Sequence, residues 1–416
     1  MGTLTHLICC AGLCGLTQAA LRAQTGAQAA ESSPSSRLEQ WRRLREKKKT
    51  EVRPPSRGGV EKFLYNFREQ RVLERFMAGW HGLHPKVGGL RTGSGFALGV
   101  EYRQERLADG LLDLHVIARG SFKRYEKYEF QIGLPRLWKQ RLFLDFTATR
   151  RNFPQEDFFG LGPRSRKQDR TAFRLEDVGW LGTAGARWRN WIMIGVQGGL
   201  IDTNVGPGTD GRFPSTETIF TPANTPGLDR QNNFYQFGTF ARMDYRDEPG
   251  NPRSGGNYLL AWNTFGDRSL GLYGFRRYQA EFQQYVPFFN RRRVIAFRAR
   301  TSLTDTDPGH TAPFYLQQTL GGSEDLRGFR EFRFRDRNLM VYNLEYRWEA
   351  FSGLDMALFG DAGKVFSRRG DFNLSDLEGD YGIGFRFNQA QAVFLRIDIG
   401  RSREGMRFFF KFGHVF

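Results

Sequence analysis

The chain has 416 residues, 39% of them hydrophobic and 15% aromatic, with 49 glycines and a mean hydropathy of -0.54. No run of about 18 or more apolar residues occurs beyond the N-terminus, which excludes helical membrane spans. A formal net charge of +18 would ordinarily suggest nucleic acid, but the arginines alternate with apolar residues on strand-like runs, which argues for no nucleic acid and for anionic lipid headgroups or lipopolysaccharide as the counter-charge.

The first 29 residues read as a signal peptide: Leu7 to Ala20 is apolar and short, and small-residue sites follow at Ala23 and Ala27-Gln28-Ala29. The rival is a lipoprotein signal, but Leu13 stands before Cys14 where a small residue is needed. Cys9, Cys10 and Cys14 all lie in this segment, so its removal would leave no thiol for a disulfide or a Cys metal site. Residues 30–81 form an expected periplasmic segment in two parts. The first is a basic linker (Arg42, Arg43, Arg45, Lys47, Lys48, Lys49, Arg53, Arg57), solvated or loosely helical, with a disordered leader the blander reading. The second, Val60 to Trp80, spaces Phe63, Leu64, Phe67, Val72, Leu73, Phe76 and Met77 near 3.6 and predicts an amphipathic helix.

From Gly82 the pattern becomes strict alternation. Phe96, Leu98, Val100 and Tyr102 oppose Glu101 and Arg103, and Tyr342, Leu344, Tyr346 and Trp348 oppose Asn343, Glu345 and Arg347. At the end of the chain Phe408, Phe410, Phe412, His414 and Phe416 share one parity, opposite Phe409, Lys411 and Gly413. Lipid on one side and water on the other explains a row of aromatics facing a row of charges. The spacing predicts strands near 82–90, 94–104, 111–122, 125–135, 141–152, 170–188, 191–204, 233–246, 255–266, 271–286, 293–304, 338–349, 354–365, 380–388, 391–400 and 406–416. The fold class is therefore all-β, with residues 82–416 forming a membrane-spanning antiparallel β-barrel of about sixteen strands. Starting and ending in the periplasm makes 153–169, 205–232, 305–337 and 366–379 long outer loops and leaves short inner turns, as barrels require.

The run Gly321-Gly322-Ser323-Glu324-Asp325-Leu326-Arg327-Gly328-Phe329, followed by Asn343–Trp348 and Phe359–Val365, resembles the outer-membrane protein assembly, or bacterial surface antigen, family. Leu326–Phe329 looks like its [VL]-R-G-[FY] loop motif, and Arg407–Phe416 like its closing strand. Phe158–Gly162 and Asp244–Asp247 also look familial. The resemblance implies a bacterial outer-membrane barrel that inserts or translocates polypeptide or lipid substrates, with unfolded outer-membrane proteins as clients. It implies that Arg327 inserts into the lumen with Glu345 and Asp361 as partners, Gly328 allowing a tight turn, and that Phe408, Phe410, Phe412 and Phe416 form an assembly signal. Both acids fall on the lumen parity of their strands, which supports the pairing independently.

Residues 30–81 are too few for the periplasmic transport-associated domains of most members, so a separate periplasmic partner supplying them is expected. The alternatives are a passive pore of the same fold and, more distantly, an outer-membrane lipase built on His115. No catalytic residue, cofactor or metal is predicted: His6, His81, His84, His115, His310 and His414 show no metal spacing, and Gly360–Lys364 lacks the phosphate-loop spacing.

Overall fold

The computed structural model describes residues 37–51, 80–91, 93–389, 392–413 and 416. The chain divides into two units, residues 1–57 and 58–416. In the first, Arg37–Glu51 forms an α-helix, α1, rich in the straight-chain residues Arg, Lys, Leu and Glu that lose little freedom in a helix. The expected signal segment, and the amphipathic helix up to residue 79, lie outside the described residues.

The second unit is a barrel. Its strands are β1 (Leu83–Gly88), β2 (Ala97–Arg106), β3 (Leu112–Ser121), β4 (Glu126–Arg136), β5 (Leu142–Phe158), β6 (Thr171–Arg189), β7 (Ile192–Pro207), β8 (Asn232–Asp244), β9 (Gly255–Asp267) and β10 (Gly274–Phe288), followed by β11 (Arg293–Thr306). Two three-residue strands, β12 (Gln318–Leu320) and β13 (Phe334–Asp336), pair with each other inside the next loop. Then come β14 (Asn338–Phe351), β15 (Leu354–Phe366), β16 (Glu378–Gln389), β17 (Ala392–Ser402) and β18 (Gly405–Phe412).

Apart from β12 and β13, each strand pairs antiparallel with the next, β11 joining β14, to give one 16-stranded sheet. The count and order match the alternation in the sequence. Side chains of one parity, such as Ile295, Leu344, Leu358, Phe408, Phe410 and Phe412, are exposed apolar groups on the outer wall. The opposite parity carries buried polar groups such as Arg298, Asn343, Glu345 and Asp361. That division is the two-solvent pattern of a barrel in lipid. Among the described residues no helix is long and apolar enough to cross a membrane.

The sheet order ends at β1 and β18, and among the described residues no ladder pair joins them. Their edges nevertheless meet: a Cβ on Gly88 would stand 2.9 Å from Cδ2 of Phe412. Pro85 sits in the middle of the short β1 strand and has no N–H to give to a ladder. The result is a nearly closed barrel with a seam.

One expectation is corrected at the C-terminal end. The aromatic row stops at Phe412, the last residue of β18. Gly413 then takes φ +92°, a left-handed conformation that glycine adopts without penalty. Phe416 is buried with Tyr285, Val294 and Ala296. Tyr285 Oη donates to its carbonyl at 2.5 Å, and the guanidinium carbons of Arg347 and Arg298 lie 5.3 and 5.9 Å from its ring centre. Cation–π attraction and a buried hydrogen bond outweigh a lipid-facing place for this ring.

Candidate functional site

The loop between β11 and β14 folds back into the barrel, because it carries its own small apolar core. Leu320, Leu326, Phe329 and Phe334 from the loop are buried against Leu339 and Val341 of β14 and Val365 of β15. Gly321 and Gly322 take φ +110° and +104°, and the Gly322 N–H donates to the Leu326 carbonyl at 3.1 Å, closing the turn before the motif. A Cβ on Gly321 would stand 2.4 Å from the Arg330 carbonyl, so the loop closes on itself there.

Placing Leu326 and Phe329 in that core leaves Arg327, the first of the two residues between them, against the wall. Arg327 has no exposed surface. Its Nε and Nη2 donate to Asp361 Oδ2 and Oδ1 at 2.8 and 2.7 Å, the two-pronged geometry a guanidinium offers a carboxylate. Nη1 donates to Glu345 Oε1 and lies 4.0 Å from Asp398 Oδ1. The Arg327 backbone N–H adds a 3.3 Å contact to Asp361 Oδ2. Both acids named from the sequence are therefore brought to Arg327, as the resemblance implied.

The network is wider than that pair. Asn343 Nδ2 donates to Asp361 Oδ1 at 2.8 Å, joining two wall strands, and to the Asp325 carbonyl at 2.6 Å, tying wall to loop. Glu345 also accepts from Arg347 Nε at 2.5 Å and from Arg386 Nη2 at 3.1 Å. Arg386 Nη1 reaches Asp398 Oδ1 at 2.7 Å, and Arg396 Nη2 holds the loop through the Ser323 carbonyl at 3.1 Å. Beneath these charges the ring of Phe359 lies 3.6 Å from the Arg327 guanidinium carbon, close enough for a desolvated cation–π contact. Four arginines thus share three buried carboxylates across four adjacent strands. Phe359, Arg386, Arg396 and Asp398 were missed in the sequence, yet each stands on the lumen parity of a strand following the motif.

Glycines create the room. Gly328 lies in a tight turn, in which the Phe329 N–H donates to the Leu326 carbonyl at 3.1 Å, although it is not itself left-handed. Its role is close approach: a Cβ there would meet Asp380 Cβ at 2.5 Å and the Arg401 backbone at 2.9 Å. On β17, Gly400 lies against the loop, and a Cβ there would stand 2.5 Å from the Arg327 carbonyl oxygen. Gly382 on β16 leaves space for the Phe359 ring. Ser402 Oγ donates to the Gly328 carbonyl at 2.8 Å. Ser402→Ala removes this bond and the one Oγ accepts from the Glu404 N–H at 3.1 Å, and should lower stability by only about 1–2 kcal/mol, leaving the loop as resistant to protease as in the native protein.

Farther out, the same loop grips its neighbours. Arg333 Nε donates to Glu404 Oε1 at 2.7 Å and Nη2 to the Ser165 carbonyl at 2.7 Å. The Gly162 N–H donates to the Arg335 carbonyl at 2.8 Å. This gives the Phe158–Gly162 run a place, as the outer cap over the motif loop. Asp244–Asp247 builds the turn after β8, where Asp247 Oδ1 accepts from three backbone N–H groups and Arg253 bridges to Asp355 at 2.8 Å. His115 bonds Glu101, which in turn pairs with Lys86 at 2.5 Å, joining β1, β2 and β3. Phe408, Phe410 and Phe412 stay on the outer wall; β18 pairs with β17, but these rings lie on the face opposite Arg396 and Asp398.

Comparison with known proteins agrees with this geometry. The Omp85 superfamily domain matches residues 115–416. Among solved structures, the chain is similar to BamA from Haemophilus ducreyi lacking POTRA domains 1-3, at 15% identity and a TM-score of 0.60, over 81% of this chain and 71% of that one. It is also similar to CdiB from Escherichia coli, at 14% identity and a TM-score of 0.52, over 80% of this chain and 62% of that one. At these identities the likeness is one of fold. No curated protein matches the chain.

Proposed function

The chain belongs to the Omp85 superfamily, and from that premise we propose that this outer-membrane barrel inserts or translocates polypeptide, or lipid, at the bacterial outer membrane. The observation that carries the reading is the seam. The facing edges of β1 and β18 share no ladder pair among the described residues. An unpaired strand edge presents a row of free N–H and C=O groups, which is a template for an incoming strand. The sequence resemblance points the same way, toward unfolded outer-membrane proteins as clients and a periplasmic partner that brings transport-associated domains.

A passive pore is the second reading, favoured by the many lumen arginines. The buried motif loop weighs against it, because Leu326, Arg327 and Phe329 fill part of the lumen. Reconstitution into liposomes separates the readings. Faster folding of an added client barrel is the expected result. Steady ion conductance with no effect on the client would favour the pore, and release of fatty acid would instead indicate the lipase.

A further inference from the structure

At the outer mouth of the barrel, apart from the Arg327 network, a cavity of about 360 Å³ is lined by Lys167, Arg170, Arg330, Arg333 and Arg407, with Glu404 as the one carboxylate in its lining. Asp157 stands beside it and is shared by Arg170 at 2.9 Å and Arg330 at 3.0 Å. Five cations therefore face two carboxylates. Glu404 Oε1 is already taken by Arg333 Nε at 2.7 Å, and Lys167 Nζ reaches only the Glu404 backbone carbonyl, at 3.0 Å.

The donors are not used up. Nε of Arg170 and Nε of Arg407 are buried with no hydrogen-bond partner among the described residues, and Arg407 makes no ion pair there. A buried guanidinium donor without an acceptor is costly. Burial, then the nearby Arg170, hold the Arg330 guanidinium below its usual range; Arg407 adds to this and Asp157 opposes it. One further atom narrows the ligand. Glu404 Oε2 is a buried acceptor, also without a partner among the described residues. A fully ionised group would meet it as like charge, whereas an oxyanion that keeps one proton can donate to it.

We propose that this cavity binds a phosphate group that keeps one proton, its oxygens on Arg170, Arg330 and Arg407 and its hydroxyl on Glu404. The proposal does not depend on the insertase reading. The group could arrive on a lipid headgroup or as free phosphate, and the chemistry is the same.

The test uses the folded full chain in neutral detergent. Calorimetric titration with inorganic phosphate should show saturable binding, and sulfate, which has no proton to give near neutral pH, should bind more weakly. Phosphatidic acid added to the micelles and followed by native mass spectrometry identifies the source. Displacement of bound phosphate by phosphatidic acid assigns the site to a headgroup, and phosphate binding without displacement assigns it to the free ion. Arg407→Gln should weaken binding about tenfold while the folded gel mobility is kept. Lys167→Gln, at an exposed position, should weaken it less and serves if the first variant folds poorly. No binding of phosphate or phosphatidic acid, equal binding of sulfate, or affinity unchanged in both variants would overturn the proposal.

Discussion

Arg327→Ala is expected to open the motif loop to protease added from outside and to lower the fraction of protein that keeps its folded gel mobility before heating. The change removes both prongs on Asp361 and the contact to Glu345. It leaves three carboxylates in a site where Arg327, Glu345 and Asp361 side chains have no exposed surface. Glu345 keeps Arg347 and Arg386, and Asp398 keeps Arg386, so Asp361 is the carboxylate left desolvated without its cation, a loss of roughly 3–5 kcal/mol. Solvent screening offers no relief where no water reaches. Arg327→Lys should recover only part of the loss, since a point charge cannot span Asp361 and Glu345 together. The charge swap Arg327→Asp with Asp361→Arg should recover less still. Asp361 is also held by Asn343, and an aspartate at 327 would face Glu345 and Asp398 as a like charge. Unchanged loop protection in Arg327→Ala would remove the motif loop from the account.

The second large effect is expected at a residue with no side chain. Gly400→Ala adds one methyl on the inner face of β17, 2.5 Å from the Arg327 carbonyl oxygen and 2.8 Å from the Gly328 nitrogen. Both are backbone atoms of a loop fixed on its other side, so neither can swing away. Overpacking of this kind typically costs about 1–3 kcal/mol, and here any shift also lengthens the Arg327–Asp361 bonds. Gly360→Ala is the control. On the outer wall of β15, its added methyl would sit 3.9 Å from the Asp380 carbonyl, an ordinary contact. Thermal unfolding of the two variants should separate them clearly, with Gly360→Ala close to the native protein. Equal unfolding temperatures would mean that the loop does not rest on β17.

Most of the barrel was legible because its physics is local. A period of two, read against lipid on one side and water on the other, places Leu344 outside and Glu345 inside with no knowledge of the partner strand. The motif acids were legible for the same reason, together with the resemblance carried by residues 320–365. What the sequence hid depends on contacts far apart in the chain. Phe359 reads as one more apolar strand residue until Arg327 is laid over it. Gly328 reads as a turn residue and Gly400 carries no signal, whereas both also give room to a neighbouring backbone. Phe416 continues the parity of Phe412, but β18 ends at Phe412, Gly413 is left-handed, and the Phe416 ring is buried beside Arg298 and Arg347.

The central claim, that the edges of β1 and β18 act on the substrate, is tested by tying them together. Cysteines at Gly88 and Phe412, in a background with Cys9, Cys10 and Cys14 changed to serine, would be joined with a short bifunctional thiol reagent after reconstitution. Client-barrel folding would then be followed in the same liposomes. The account predicts that cross-linking abolishes the acceleration, while the uncross-linked double-cysteine protein and each single-cysteine control treated alike retain it. Acceleration that survives complete cross-linking would contradict it.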